Sequence, residues 1–417
     1  MRRCCLFFLV LSLFVILVPA CGGGKTEETP TVSPTITAIP TATQTATVGP
    51  TATPTATAVV TATPTSSKPV KIGAINSWSG PAALSGLSIA DPVIKLVEQQ
   101  VKDQGGILGG RDIDVTRYDN RASVAEAQAG VTKLYTDDKV SAITMGGVSG
   151  AEFTAVAQAC EKAQILFVSI AHVDGLSNYK FTVNATVQSD VDRAITIRFI
   201  TNVLKPKTAA FFGTNDTSAH ENLTYVSDTL KADGINTVYI DYCPLDTSDF
   251  SPYLTKIKYA NPDLLYLYSG SNEANIAVAK QMTELGGWGN IKVVTTAAGE
   301  SAKNQTGAQG WYLFANWAPG IDYPGMTKFQ NDYQAMFGRA PNSNMIYYYN
   351  SLWTAVYAIK LAGTDTDRVA IAQAARSGNL EWDTPMGHAH FQPDGTSGLS
   401  LIIEQIVNKS PVYVYGP

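Results

Sequence analysis

The chain of 417 residues carries 30 Lys and Arg against 35 Asp and Glu, a net charge of −5, and charged side chains make up only 16% of it. With no basic block able to follow a phosphate backbone, nucleic acid is a poor partner. The 348 residues from Val70 onward exceed one ordinary domain and suit two.

In chain order, Arg2 and Arg3 precede an apolar run from Cys4 to Val18 broken only by Ser12, and Ala20 stands directly before Cys21-Gly22-Gly23-Gly24. This reads as a secretory signal over residues 1–20 with a small-residue cleavage point. The run falls short of the ~20 apolar residues that a bilayer span needs. Val18-Pro19-Ala20-Cys21 resembles a bacterial lipobox, which implies lipidation of Cys21 and an extracytoplasmic protein anchored to the outer face of the cell membrane. Residues 21–69 then form a tether. From 26 to 67 Thr, Pro, Ala and Val dominate without one aromatic, so the segment extends at up to ~3.1 Å per residue and has little to bury.

A β-rich run over 70–76 stops at Ser77-Trp78-Ser79-Gly80-Pro81, and helical spacing follows from Ile89 to Val101. Gly105-Gly106-Ile107-Leu108-Gly109-Gly110 ends that helix, because glycine takes the left-handed cap cheaply. Strands over 112–118, 141–145 and 165–170 alternate with helices over 124–137 and 151–163. A second series then alternates helices over 190–203, 221–232, 250–259 and 273–285 with strands over 208–212, 237–242, 264–268 and 292–296. Parallel neighbours need a crossover, so this alternation predicts an α/β fold of two doubly wound, Rossmann-like lobes. Helices over 326–337, 345–362 and 368–377 have no strands between them, so they return to cover the first lobe, while a last strand near 399–406 joins the second. Cys160 and Cys243 fall in different lobes and are expected to be unpaired.

Three blocks in this order resemble the type I periplasmic binding proteins of branched-chain amino acid (Leu/Ile/Val-type) ABC importers: KIGAINSWSGPAALSG (71–86), GGILGGRDIDVTRYDN (105–120) and DTSDFSPYLTKIKYANPDLLYLY (246–268). The likeness covers essentially all of residues 70–417 and implies ligand trapped between two lobes joined by three crossover segments, near 187, 316 and 395. On this reading residues 70–187 and 317–395 build lobe 1, and 188–316 with 396–417 build lobe 2.

Both lines of reasoning point to the loops at the carboxyl ends of the strands, where doubly wound sheets hold ligands. Gly146-Gly147-Val148-Ser149-Gly150 precedes a helix whose free N–H groups and positive end suit a carboxylate. The resemblance gives Val148, Ser149 and Gly150 that role; a helix cap alone is the alternative. It assigns Ala171 to the ligand's ammonium from the loop Ser169-Ile170-Ala171-His172-Val173, where His172 and Val173 depart from the family pattern. Glu300 stands at or beside the family's acidic residue, which faces the ammonium. The family's tyrosine walls align with Ser85, with Ser218, and with Ser269-Gly270-Ser271, which leaves a larger or more polar cavity that Trp78, Asp216 and His220 help to fill.

No GxGxxG or Walker A string occurs, so no nucleotide cofactor is called for, and none of any other kind. Gly147-Val148-Ser149-Gly150-Ala151 misses the hydrolase nucleophile elbow at its last glycine, and no catalytic residue is assigned. His388-Ala389-His390 can place two imidazoles on one strand face but lacks a third metal ligand, and Tyr347-Tyr348-Tyr349 beside Trp353 has the spacing of a helix core. The resemblance implies a binding protein rather than an enzyme: a lipid-anchored solute-binding component that presents an amino acid, amide or related carboxylate to ABC permease subunits. The alternative is a ligand-sensing receptor subunit of a signalling system, with the same fold and a different partner.

Overall fold

The computed structural model describes residues 68–145, 150–269 and 272–416. Cys21, the signal segment, nearly all of the tether, Val148, Ser149 and Gly270 lie outside the described residues. The first sheet comprises β1 (Val70–Asn76), β2 (Ile113–Asp119), β3 (Ala142–Thr144), β4 (Leu166–Ser169) and β5 (Thr182–Asn184), all parallel, in the order β2-β1-β3-β4-β5. A strand buried on both faces needs a nearly continuous apolar run, and β1 is buried at every position except Lys71. Helices α1 (Asp91–Asp103), α2 (Val124–Thr136) and α3 (Gly150–Ala163) supply the crossovers. The Ser123 hydroxyl caps α2 by accepting from the Glu126 N–H.

The second sheet repeats the plan. Here β6 (Thr208–Thr214), β7 (Asn236–Cys243), β8 (Leu264–Tyr268), β9 (Lys292–Thr295) and β10 (Tyr312–Ala315) run parallel in the order β7-β6-β8-β9-β10. They are connected through α5 (Thr217–Ala232), α6 (Ser251–Ala260) and α7 (Asn272–Leu285), and α4 (Ser189–Phe199) leads into them. In each sheet the strand order reverses beside the first strand, β1 in one and β6 in the other, and that is where an open parallel sheet leaves a crevice.

The chain then returns through α8 (Pro324–Phe337), α9 (Met345–Ala362), α10 (Arg368–Ala375) and a hairpin of β11 (Glu381–Thr384) and β12 (Gly387–His390). As the sequence predicts, these helices cover the first sheet: α9 is buried along most of its length, and the Ser351 hydroxyl donates to the Val168 carbonyl of β4. The last strands extend the second sheet beyond β10: β13 (Ile402–Val407) runs antiparallel to β10, and β14 (Ser410–Tyr415) antiparallel to β13. Two lobes thus arise, joined by three crossings between β5 and α4, β10 and α8, and β12 and β13. Cys160 and Cys243 are both buried and free.

Differences from the sequence reading are local. The strands β5, β10, β11 and β14 are not predicted, being three to six residues long with no sustained period, whereas β12 falls on the His388-Ala389-His390 run that reads as a strand. The helix expected from Glu221 starts at Thr217, because Asp216 caps it and accepts from the Ala219 N–H.

Glu404, in the middle of β13 opposite Leu313, is 2% exposed. Burial first, and then the neighbouring Glu300 charge, push its carboxyl up to about 8, with Lys303 opposing. Because the folded state holds this proton more tightly than the unfolded chain, its contribution to stability is complete below about pH 4.5 and is lost as pH rises through about 8. Glu404→Gln is expected to flatten the fall in melting temperature between pH 6 and pH 9, followed by circular dichroism; an unchanged slope would exclude this assignment. A second expectation concerns the turn Thr306–Ala308 on α7, where a Cβ at Gly307 would lie 2.0 Å from the Ala279 carbonyl oxygen. Gly307→Ala should cost about 1–3 kcal/mol in urea unfolding, whereas Gly289→Ala, with nothing within 4 Å of its added Cβ, should be near neutral.

Candidate functional site

The carboxyl ends of β1 and β2 carry a buried polar network. The Ser77 hydroxyl donates to Asn120 Oδ1 at 2.7 Å, and Asn120 Nδ2 donates to Glu152 Oε1 at 2.6 Å, in the first turn of α3. Alongside, the Ser85 hydroxyl donates to Asn76 Oδ1 at 3.0 Å, and the Tyr348 hydroxyl of α9 faces the two of them. Burial raises the Tyr348 pKa, and those two partners oppose the rise. Asn76 Nδ2 is buried without a hydrogen-bond partner. Gly150 opens α3 with nothing within 4 Å of an added Cβ.

The loop after β4 meets the second lobe. Ala171 is buried, and its carbonyl accepts from Asn184 Nδ2 at 2.7 Å inside the first lobe. His172 Nδ1 lies 2.7 Å from Asp192 Oδ2, in the first helix beyond the first crossing. The same helix end is tied down by Ser189, whose hydroxyl donates to the His172 carbonyl at 2.9 Å, and by Arg193, whose Nη2 donates to Asp174 at 2.8 Å. Burial works against a charged imidazole, but the Asp192 charge and hydrogen bond outweigh it, so the His172 pKa is raised. The His172 ring stands edge-on to Tyr347, 5.4 Å between centroids, and the Tyr347 hydroxyl donates to Asn316 at the second crossing.

In the second lobe, Asp216 is engaged on both oxygens, by the Ala219 N–H that it caps and by the Thr214 hydroxyl. Ser218 Oγ lies 3.2 Å from the Tyr268 hydroxyl at the end of β8, so a ring stands immediately before the serine run that the sequence reading aligned with an aromatic wall. His220 stacks on Tyr242, 3.8 Å between centroids, and bonds Asn215 Oδ1. A cavity of about 290 Å³ at the ends of β6 and β7 is lined by Thr214, Asp216, Cys243, Leu245 and Phe250, all from this lobe. Glu300, in the turn Ala297–Ala302 after β9, is half-exposed and pairs with Lys303 Nζ at 2.8 Å.

The structure therefore brings Ser85 and Gly150 to the rim of the first lobe, Ala171 and His172 to the seam, and Asp216, Ser218 and Glu300 to strand ends of the second. It adds Asn76, Asp192, Asn316, Tyr268, Tyr347 and Tyr348, which sequence reasoning missed. The tyrosine triplet was read as core; Tyr348 and Tyr349 are buried, but Tyr347 is only partly so and faces His172. Among the described residues no group of three His, Cys, Asp or Glu is placed to hold a metal ion, and His388 pairs instead with Asp383 at 2.8 Å. Among them, too, no helix is long and apolar enough to cross a membrane.

Comparison with known proteins agrees with this architecture. The family model described as periplasmic binding protein matches residues 69–409. The Leu/Ile/Val/Thr-binding protein of Salmonella typhimurium is 24% identical over 249 residues, a match that spans 56% of this chain and 66% of that protein. Among solved structures, a leucine-binding protein from Thermotoga maritima superposes with a TM-score of 0.70 at 19% identity, covering 84% of this chain and 99% of that one. A branched-chain amino acid transporter substrate-binding protein from Streptococcus pneumoniae, in complex with isoleucine, gives 0.71 at 20% identity over 84% and 100% of the two chains. A solute-binding protein of an ABC transporter from R. palustris, in complex with 4-hydroxybenzoate, gives 0.70 at 18% identity over 84% and 96%. The match to the family model, across nearly all of the described fold, means that this chain belongs to the periplasmic binding protein family.

Proposed function

We propose that this protein is the extracytoplasmic solute-binding component of an ABC importer, which closes its two lobes around an amino acid or a related small carboxylate and offers the closed form to permease subunits. The observation that carries this reading is the seam at His172, where polar groups from the strand ends of one lobe meet the first helix of the other. A solute that touches both sides stabilises the closed state, because only there do both sets of contacts exist, and no chemical step is needed. The solutes held by related proteins, isoleucine in one and 4-hydroxybenzoate in another, support a small carboxylate. On this reading residues 70–187 with 317–395 and residues 188–316 with 396–417 move as separate bodies about the three crossings. Ser85, Ser149, Gly150 and Ala171 face the solute from the first, and Ser218 with the Gly270 loop faces it from the second. The leader ending at Ala20 and lipidation at Cys21 hold the protein at the outer face of the membrane, with the Thr/Pro segment as its stalk.

A thermal-shift screen of the purified protein against amino acids, their amides and small aromatic acids is expected to give a saturable rise in melting temperature for at least one class. No shift with any of them would remove the proposal. Deleting residues 26–67 should leave solute affinity unchanged in calorimetric titration; a large loss would mean that the stalk takes part in binding.

A further inference from the structure

Asp192 lies in the first turn of α4, immediately beyond the first crossing, and is 9% exposed. One carboxylate oxygen, Oδ2, is held by His172 Nδ1 at 2.7 Å. The other, Oδ1, is buried and has no hydrogen-bond partner. A buried carboxylate oxygen without a donor is costly and calls for a partner. The groups around it come from both lobes: His172 after β4, Tyr347 on α9, and Tyr266 and Tyr268 on β8, the three tyrosine hydroxyls all feeling the Asp192 charge. Arg193, the adjacent cation, is turned to Asp174 and to the face of Tyr225, 4.6 Å from its centroid.

Glu300, the acidic residue that the family resemblance places opposite an ammonium, is differently situated. Its charge is matched by Lys303 at 2.8 Å, and it borders the buried Glu404. A second cation arriving at Glu300 would meet the lysine already there. At Asp192 the free oxygen, with no cation of the chain bonded to it, suits a primary ammonium, since such a group donates charge-assisted hydrogen bonds to a carboxylate.

Resting on the solute-binding reading above, we infer that Asp192 Oδ1 accepts a hydrogen bond from the amino group of the bound solute, which makes the preferred ligand class amine-bearing carboxylic acids and Asp192 the residue that selects them.

The test measures dissociation constants by calorimetry for the intact protein with matched pairs: L-leucine and 4-methylpentanoate, L-threonine and 3-hydroxybutanoate, 4-(aminomethyl)benzoate and 4-methylbenzoate. Wild type is expected to prefer the amine-bearing member of the pair that it binds. Asp192→Asn should weaken that member by about 10- to 100-fold and its amine-free partner by less than about threefold. Glu300→Gln should leave the preference intact; circular dichroism shows whether each variant is folded. Equal losses of both members in folded Asp192→Asn would make Asp192 a tie between lobes and overturn the inference. So would loss of the preference in Glu300→Gln, or wild-type binding of amine-free members only. In those three outcomes the binding-protein reading stands. If no member of any pair binds wild type, both fall.

Discussion

A parallel strand can satisfy its backbone through its neighbours and bury both faces in apolar side chains, but at its carboxyl end the chain must leave the sheet, and polar groups gather there. That constraint shapes this molecule twice. Residues such as Ile72 and Ala74, or Ala210 and Phe212, have 0–1% exposure. At and just past the ends of the same strands stand Asn76 and Ser77, or Thr214 and Asp216. Both lobes reverse their strand order beside the first strand, so each presents its crevice at an equivalent place.

What joins the two crevices is the start of α4. Its first turn carries Ser189, Asp190, Asp192 and Arg193, and each meets a group of the loop from Ala171 to Asp174. A helix start has unsatisfied N–H groups and a positive end, and carboxylates settle there readily. Asp174 accepts from the Asp190 N–H at 3.1 Å, so a residue of one lobe serves the helix start of the other. The crossings are tied to each other as well: the Asn184 N–H donates to the Gly395 carbonyl, and the Ser397 hydroxyl to the Thr186 carbonyl, so the first and third run side by side.

Much of this was legible in the residues. Runs such as Leu264–Tyr268 announce buried strands, and Gly338 and Gly363 stop α8 and α9 with left-handed backbones that cost other residues more. The absence of strands between the late helices correctly forced them back onto the first sheet. Short pieces escaped, because Thr182–Asn184 and Tyr312–Ala315 are defined by their neighbours rather than by any period of their own. The site was harder still. Asp216 before Thr217-Ser218 reads as a residue that helps to fill the ligand cavity and is engaged as a helix cap, a role that the same residue pattern also signals. Asp192 offered nothing to distinguish it from any acid in a polar first turn. Its isolation arises only when His172, 20 positions earlier, and Tyr347, far later, close around it.

The cover of the first sheet has a consequence for how the chain comes to be folded. β1 to β5 are complete by Asn184, yet the helix that shields one of their faces begins only at Met345. A polypeptide made from its N-terminus therefore carries an unfinished apolar slab while roughly 160 further residues are added, and the second lobe can condense before the first. Pairings of such sequence separation close slowly. Late closure of this kind leaves one apolar face of the first lobe open to unwanted association until the last quarter of the chain has been made.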